Sequence, residues 1–384
     1  MREIIMKPDL YKFGSFKEFA DDFGLDGRDL ILTSRPIYEN VISKVLEQEP
    51  SLKAAQCVIQ EDYASGEPTE PMIEAIFAAV NYESYDRVFA IGGGTIMDIG
   101  KLMVLKRPSS LNDLFFKREP IIREKKLIAI PTTCGTGSEV TMTSVAIVND
   151  GQGGTTKLGL LDEDLIADTA CLIPEFIKSL PHQPFAESLI DALIHAVESY
   201  LSPAKATMTS DLFGEGAIRT ILRALKARQD GHDIKNEFAD ELLTAACYAG
   251  LAFLQGGCGI IHGISYPMSG KYFVTHGAAN YVFFQATMQM YNETDPDGKI
   301  RNLRQMITEA FGGDIKADDT KAFDTLFEAI TDLLPPKKMH EYGVKEEDID
   351  FFTESVFQNQ MRLVDNAYIK MTPDLVRRLY KESF

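Results

Sequence analysis

Two short strand-like runs, Arg87-Val-Phe-Ala-Ile91 and Lys126-Leu-Ile-Ala-Ile130, each end in a loop of glycines and hydroxyls. No other feature constrains the fold as much. The first loop is Gly92-Gly-Gly-Thr-Ile-Met-Asp-Ile-Gly-Lys101, and the second is Pro131-Thr-Thr-Cys-Gly-Thr-Gly-Ser-Glu139. An apolar run of this length, bounded by turn residues, is too short for a buried helix and reads as a strand. The same alternation fills the rest of the first half. Asp29–Thr33 and Ala54–Ile59 read as strands, Tyr38–Glu47 as a helix, and Glu70–Val80 as a helix opened by Pro71. Val140–Val148 and Thr155–Leu160 follow as a strand pair joined by the turn-rich residues 149–154. Strands that alternate with helices imply a parallel sheet with crossover connections.

From Pro181 onward the strand pattern gives way to helical spacing through 184–201, 206–228, 236–255, 278–291 and much of 304–384. A chain of 384 residues is also too long for one ordinary core. The reading is therefore an α/β domain over 1–180, with a Rossmann-like parallel sheet that binds a nucleotide, and an all-α domain over 181–384.

Composition narrows the function. Hydrophobic residues make up 45% and charged residues 25%, as in globular proteins, while the formal net charge of −18 argues against a nucleic-acid surface. An anionic ligand would need a local basic pocket working against that overall field. The five cysteines are odd in number, scattered and without a CxxC pair, which fits free thiols in a reducing compartment. Residues 1–8 lack the apolar core of a signal peptide, and no apolar run reaches the length of a membrane span. The expectation is a cytoplasmic protein without a membrane partner.

Each glycine-rich loop follows a strand, where open α/β sheets bind nucleotides. Free N–H groups at a helix start can hold a phosphate, and glycines let the backbone come close to it. The first loop is not GxGxxG, because its third spacing fails, so a tight strand-to-helix turn also explains it. Two such loops together are stronger than either one.

Asp191 and His195 are four residues apart, so their side chains leave one face of a helix. His262 and His276 lie further on, next to glycines, so that half of the six histidines join this set. One carboxylate and three imidazoles suit Fe²⁺ or Zn²⁺ better than Ca²⁺ or Mg²⁺. A solvated helix face and two ordinary loop histidines would account for the same residues.

Taken in order, GGGTIMDIGK at 92–101, PTTCGTGSEVT at 131–141, DALIHAVESYLSP at 191–203 and HGISYPMSGKYFVTHGAAN at 262–280 resemble the iron-containing (group III) alcohol dehydrogenase family. The ISYP segment, the PTTCGTGSEVT spelling, PEFIKSLP at 174–181 and DLYKF at 9–13 resemble the branch that acts on 4-hydroxybutyrate and succinate semialdehyde. The resemblance implies the iron-dependent alcohol dehydrogenase fold, related to that of dehydroquinate synthase, and hydride exchange between NAD(H) and a small hydroxy acid or aldehyde. It makes Asp191, His195, His262 and His276 the ligands of one Fe²⁺ (or Zn²⁺). It assigns Gly93, Gly94 and Thr95 to the pyrophosphate, Asp98 to the neighbourhood of the nicotinamide, Thr132, Thr133 and Ser138 to the second nucleotide loop, and Lys157 to the ribose. Another primary alcohol dehydrogenase or a lactaldehyde reductase would share these motifs, and a lyase of the dehydroquinate synthase type would share the two-domain architecture and use NAD without net redox.

Two positions depart from the family pattern. Tyr266 stands where many members carry a further histidine, and it would shape the pocket or donate a hydrogen bond. Ser34 and Arg35 follow Thr33 where an aspartate often reads the adenosine ribose, which removes a repulsion against a 2′-phosphate. Lys271, close to the ligand segment, is the candidate for the substrate carboxylate. A homodimer through the edge of the N-terminal sheet is a further expectation.

Overall fold

The computed structural model describes residues 7–48, 55–149, 151, 154–313 and 321–384. Two compact units emerge, one built from Ile5–Thr133 with Gly137–Leu180, the other from Pro181–Phe384 with Cys134–Thr136.

The first unit holds a six-stranded sheet of β1 (Asp9–Lys12), β2 (Asp29–Thr33), β3 (Gln56–Ile59), β4 (Arg87–Gly92), β5 (Lys126–Pro131) and β8 (Thr169–Leu172). Its order is β1-β8-β5-β4-β2-β3, and every neighbouring pair is parallel. Alternate residues of the central strands face opposite cores. Leu30, Leu32, Val88, Ala90, Leu127 and Ala129 join one buried cluster, while Ile31, Phe89, Ile91, Ile128 and Ile130 join the other. A sheet covered on both faces needs such continuous apolar runs, which is why these strands are plain in the sequence. β1 and β8 were not expected. All four residues of β1 are exposed, so it lies at the edge without an apolar signature and is held by its backbone ladder to β8.

An antiparallel hairpin of β6 (Thr143–Asn149) and β7 (Thr155–Leu161) stands apart from the sheet. The strand expected from Val140 begins three residues later, because Gly137 turns the chain at φ +58° and Ser138–Val140 form a single 3-10 turn. Residue 54 of the expected third strand, and residues 150, 152 and 153 of the hairpin connection, lie outside the described residues. The helix expected over 38–47 starts earlier, at Arg35, and passes through a π-turn at Tyr38–Ile42 before Ser43–Gln48.

The second unit is helical, with long helices at His182–Leu201, Met208–Gln229, Ala239–Gly256, Ile260–Tyr272 and His276–Thr294. Thr207 caps the second of these reciprocally with Ser210. The sequence did not announce Ile260–Tyr272 as a helix, since glycines flank it and Pro267 lies inside it. Pro267 removes one ladder bond. Burial of Ile260, Ile261, Ile264 and Met268 offsets that loss. Phe273, in the left-handed region at φ 55°, ends the helix, and His276 opens the next one. Among the described residues no single helix is long and apolar enough to cross a membrane.

The helix Gly94–Met103 lies against the sheet at Gly100, where an added Cβ would come 2.6 Å from the Ala90 Cβ. The Gly100→Ala substitution is therefore expected to lower stability by about 1–3 kcal/mol. A fall in the urea midpoint of the purified protein checks this.

Candidate functional site

Asp191 and His195 sit in the middle of the helix His182–Leu201, His262 lies one turn inside Ile260–Tyr272, and His276 is the first residue of His276–Thr294. The structure brings all four together, with one ligand-type atom of each within 4.8 Å of the others. Asp191, His195 and His262 are buried, whereas the His276 side chain is 26% exposed and marks the open side of the cluster.

The chemistry of this donor set calls for a cation. His262 Nδ1 lies 2.5 Å from the Glu198 carboxylate, so the proton belongs on Nδ1 and the Nε2 lone pair is left for a ligand. That Nε2 faces His195 Nε2 at 3.0 Å. Two imidazole nitrogens so close, next to Asp191, are best reconciled by a positive charge between them. The His195 imidazole is held down to about 4, chiefly by burial and against the pull of Asp191, so it stays neutral and able to ligate. The Asp191 carboxyl stays below its ordinary range despite burial, because His195, His276 and His262 surround it. Burial opposes charge on His262 as well, yet Cys258 and Glu198 raise it overall. The residues present thus fit Fe²⁺ or Zn²⁺.

Glu198 escaped the sequence reasoning. It follows His195 by three residues and Asp191 by seven, and so shares their helix face, a signal that was legible. Its other carboxylate oxygen accepts the Ile261 N–H at 2.6 Å, which ties the Asp191 helix to the first turn of the His262 helix. Asn280 Nδ2 lies 2.9 Å from Asp191 Oδ1, one turn beyond His276. Phe253 stacks on the His195 ring with centroids 5.0 Å apart.

The first unit carries the first glycine-rich loop and the two ends of the second, which follow adjacent parallel strands in the register Gly92↔Pro131. A Cβ on Gly93 would meet Thr133 Cγ2 at 3.3 Å, so the loops pack together and glycine keeps their surface low. Gly94 and Thr95 form the start of the helix Gly94–Met103. Thr132 is buried, and its N–H reaches the Gly92 carbonyl. Asp98 accepts from Ser138 Oγ and from the Val145 N–H, both at 3.1 Å, and burial pushes its carboxyl up to about 6 despite Lys101. Lys157 is on β7 and pairs with Glu67 at 2.6 Å. Lys101, another residue that sequence reasoning passed over, is fully buried. It donates to Ser138 Oγ at 2.8 Å, to Thr141 Oγ1 at 3.0 Å and to the Thr143 carbonyl at 2.6 Å, and so binds the second loop to the helix of the first.

Tyr266, one turn after His262, has its ring centroid 6.2 Å from that of His276, on the open side. Lys271 does not join the cluster. Nine residues beyond His262 is two and a half helical turns, about 13 Å along the axis and on the opposite face. Its ammonium is held by Asp348 at 2.5 Å.

Residues 8–174 match the iron-containing alcohol dehydrogenase family, and residues 185–384 match that family's C-terminal domain. The chain belongs to the iron-containing alcohol dehydrogenases. It is 38% identical over 385 residues to 4-hydroxybutyrate dehydrogenase of Clostridium kluyveri, covering 100% of both chains. In fold it is similar to 1,3-propanediol oxidoreductase, with a TM-score of 0.83 at 20% identity and 100% of both chains covered. It is also similar to sulfoacetaldehyde reductase from Bifidobacterium kashiwanohense, solved with NAD⁺, with a TM-score of 0.81 at 20% identity, covering 100% of this chain and 98% of that one.

If Glu198 orients His262, Glu198→Gln is expected to weaken Fe²⁺ or Zn²⁺ binding by about 10–100-fold. Metal titration of the apoprotein reads this directly, without reference to turnover.

Proposed function

We propose that this chain is an NAD-dependent, metal-dependent dehydrogenase that interconverts 4-hydroxybutyrate and succinate semialdehyde. The convergence of Asp191, His195, His262 and His276 carries this reading. Full-length similarity to a 4-hydroxybutyrate dehydrogenase supports the substrate. The four residues would hold one Fe²⁺, and the same donors accept Zn²⁺. When bound, the ion supplies a Lewis acid that favours the alkoxide and polarises the aldehyde.

The protein's own residues supply the rest. Glu198 keeps the His262 proton on Nδ1, and Asp191 leaves the site with a single carboxylate so that positive charge persists when metal is bound. The amides of Gly93, Gly94 and Thr95 would take the pyrophosphate, Thr132, Thr133 and Ser138 would form the second wall, and Lys157 would reach the ribose. Asp98, buried and fixed by Ser138 and Val145, would border the nicotinamide. Tyr266, in place of a titrating imidazole, would shape the pocket on the open side of His276 and offer its hydroxyl as a donor.

The surroundings of Arg35 support NAD over NADP. Its guanidinium pairs with Asp62, and its backbone N–H donates to Glu61 at 2.8 Å. Two carboxylates past the end of β3 thus restore the negative charge that Ser34 lacks, and they would repel a 2′-phosphate. The five free cysteines support a reducing, cytoplasmic setting. Leu10 and Tyr11, exposed on the edge strand β1, support a homodimer.

Metal-loaded enzyme is expected to oxidise NADH stoichiometrically with succinate semialdehyde, followed by absorbance, and to yield 4-hydroxybutyrate. Failure on that substrate alongside turnover of simple aldehydes would overturn the substrate assignment. His262→Ala is expected to lose metal and turnover while keeping NAD⁺ affinity within about threefold, because the cofactor loops lie on other elements. Neutralising both Glu61 and Asp62, as Gln and Asn, is expected to raise kcat/KM for NADPH relative to NADH by about tenfold or more. Steady-state comparison of the two cofactors checks it.

A further inference from the structure

The proposed substrate carries a carboxylate at the end remote from the reacting carbon. With Lys271 tied to Asp348, that carboxylate needs another partner. Two cations lie near the His262 helix, and neither side chain has an ion pair or hydrogen bond among the described residues. They are Lys205, just past the Asp191 helix, and Arg362, on the short turn Met361–Val364.

A hydrogen-bond chain fixes where Lys205 lies. Its backbone N–H donates to Ser202 Oγ at 3.2 Å, Ser202 Oγ donates to Asn366 Oδ1 at 2.7 Å, and Asn366 Nδ2 donates to the carbonyls of Gly256 and Cys258, each at 2.9 Å. The Lys205 side chain therefore lies along the glycine turn that leads into the His262 helix. A Cβ on Gly257 would be 3.5 Å from Lys205 Cδ and 3.7 Å from its Nζ. The next residue, Cys258, has its sulfur within 4.8 Å of a His262 ring nitrogen and of the Glu198 carboxylate. Arg362 belongs to a turn that packs on the same helix. The adjacent Leu363 has its Cβ 3.4 Å from where a Cβ on Gly263 would stand, one residue past the ligand His262.

The two charges also feel one another. Burial holds the Lys205 ammonium below its ordinary range, and the like charge of Arg362 lowers it further, against weaker opposition from Cys258 and Asp365. In a chain of net charge −18, most basic side chains near carboxylates are paired with them, as Lys299 is with Asp211 and Arg228 with Asp332. Two neighbouring cations kept without such partners create a local positive field, which is what an anion needs on an acidic protein. A planar guanidinium fork beside a point-charge ammonium suits a carboxylate. A four-carbon hydroxy acid spans roughly 6 Å from hydroxyl to carboxylate, and Cys258 Sγ on that turn is within 4.8 Å of a His262 ring nitrogen.

We propose that Lys205 and Arg362 form the subsite that binds the substrate's distal carboxylate and selects the hydroxy acid over a plain alcohol. This inference rests on the 4-hydroxybutyrate reading of the site. The test compares metal-loaded wild type, Lys205→Met, Arg362→Met and Arg362→Lys on succinate semialdehyde and on butyraldehyde, its counterpart without the carboxylate. KM for succinate semialdehyde should rise about 10–100-fold in each methionine variant. Arg362→Lys should recover part of that loss, and kcat/KM for butyraldehyde should change far less. Variants that retain the wild-type preference between the two aldehydes overturn the subsite and leave the substrate reading standing, as do variants that lose both activities in equal measure. A wild-type enzyme that reduces butyraldehyde and not succinate semialdehyde removes the substrate reading and the subsite together.

Discussion

The contact between Glu198 and the first turn of the His262 helix governs the candidate metal cluster. One carboxylate accepts from the Ile261 amide and from His262 Nδ1, and it belongs to the helix that also presents Asp191 and His195. Without it, the two helices would meet with the His262 imidazole free to rotate. With it, the tautomer and direction of His262 are set, and the remaining ring nitrogen faces His195. The cost of burying Glu198 is met by two hydrogen bonds in a place where water cannot compete.

The α/β unit solves an analogous problem with a cation. Lys101 is buried beneath the second glycine-rich loop and holds two hydroxyls and a carbonyl there, while Asp98 above it is held by Ser138 and Val145. Burial drives the Lys101 ammonium down to about 8 and the Glu139 carboxyl up to about 7, so neither is an inert charge. Ser138 of the loop is pinned to the helix Gly94–Met103 by both Lys101 and Asp98. The exposed amides at the start of the Gly94 helix are thus presented on a fixed frame.

The metal site and the proposed carboxylate subsite share one piece of backbone. The turn Gly256–Gly259 passes Lys205 on one side and delivers the chain to Ile261 and His262 on the other. Coupling substrate selection to the ligand helix in this way places recognition of the acid end and activation of the reacting end on one rigid element. Tyr266, one turn further along, gives the same helix a third influence on the pocket.

The sequence by itself determined the parallel sheet, the two glycine-rich loops and the face shared by Asp191 and His195, because each is written in local spacing. Central strands buried on both sides show as apolar runs, and a helix turn puts residues four apart on one face. Glu198 was equally legible, seven residues after Asp191 on the same face. Only the tertiary structure decided the rest. The exposed edge strand β1 has no apolar pattern and exists through its backbone partner. The helix around Pro267 forms against local propensity because its apolar face is buried. Lys271, near His262 in sequence, is turned away by helix geometry, whereas Lys205 and the turn that carries Arg362, separated by most of the helical unit, lie beside the His262 segment. Proximity along a chain and proximity in space agree only within a turn or two of helix, and the substrate end of this site is assembled from farther apart.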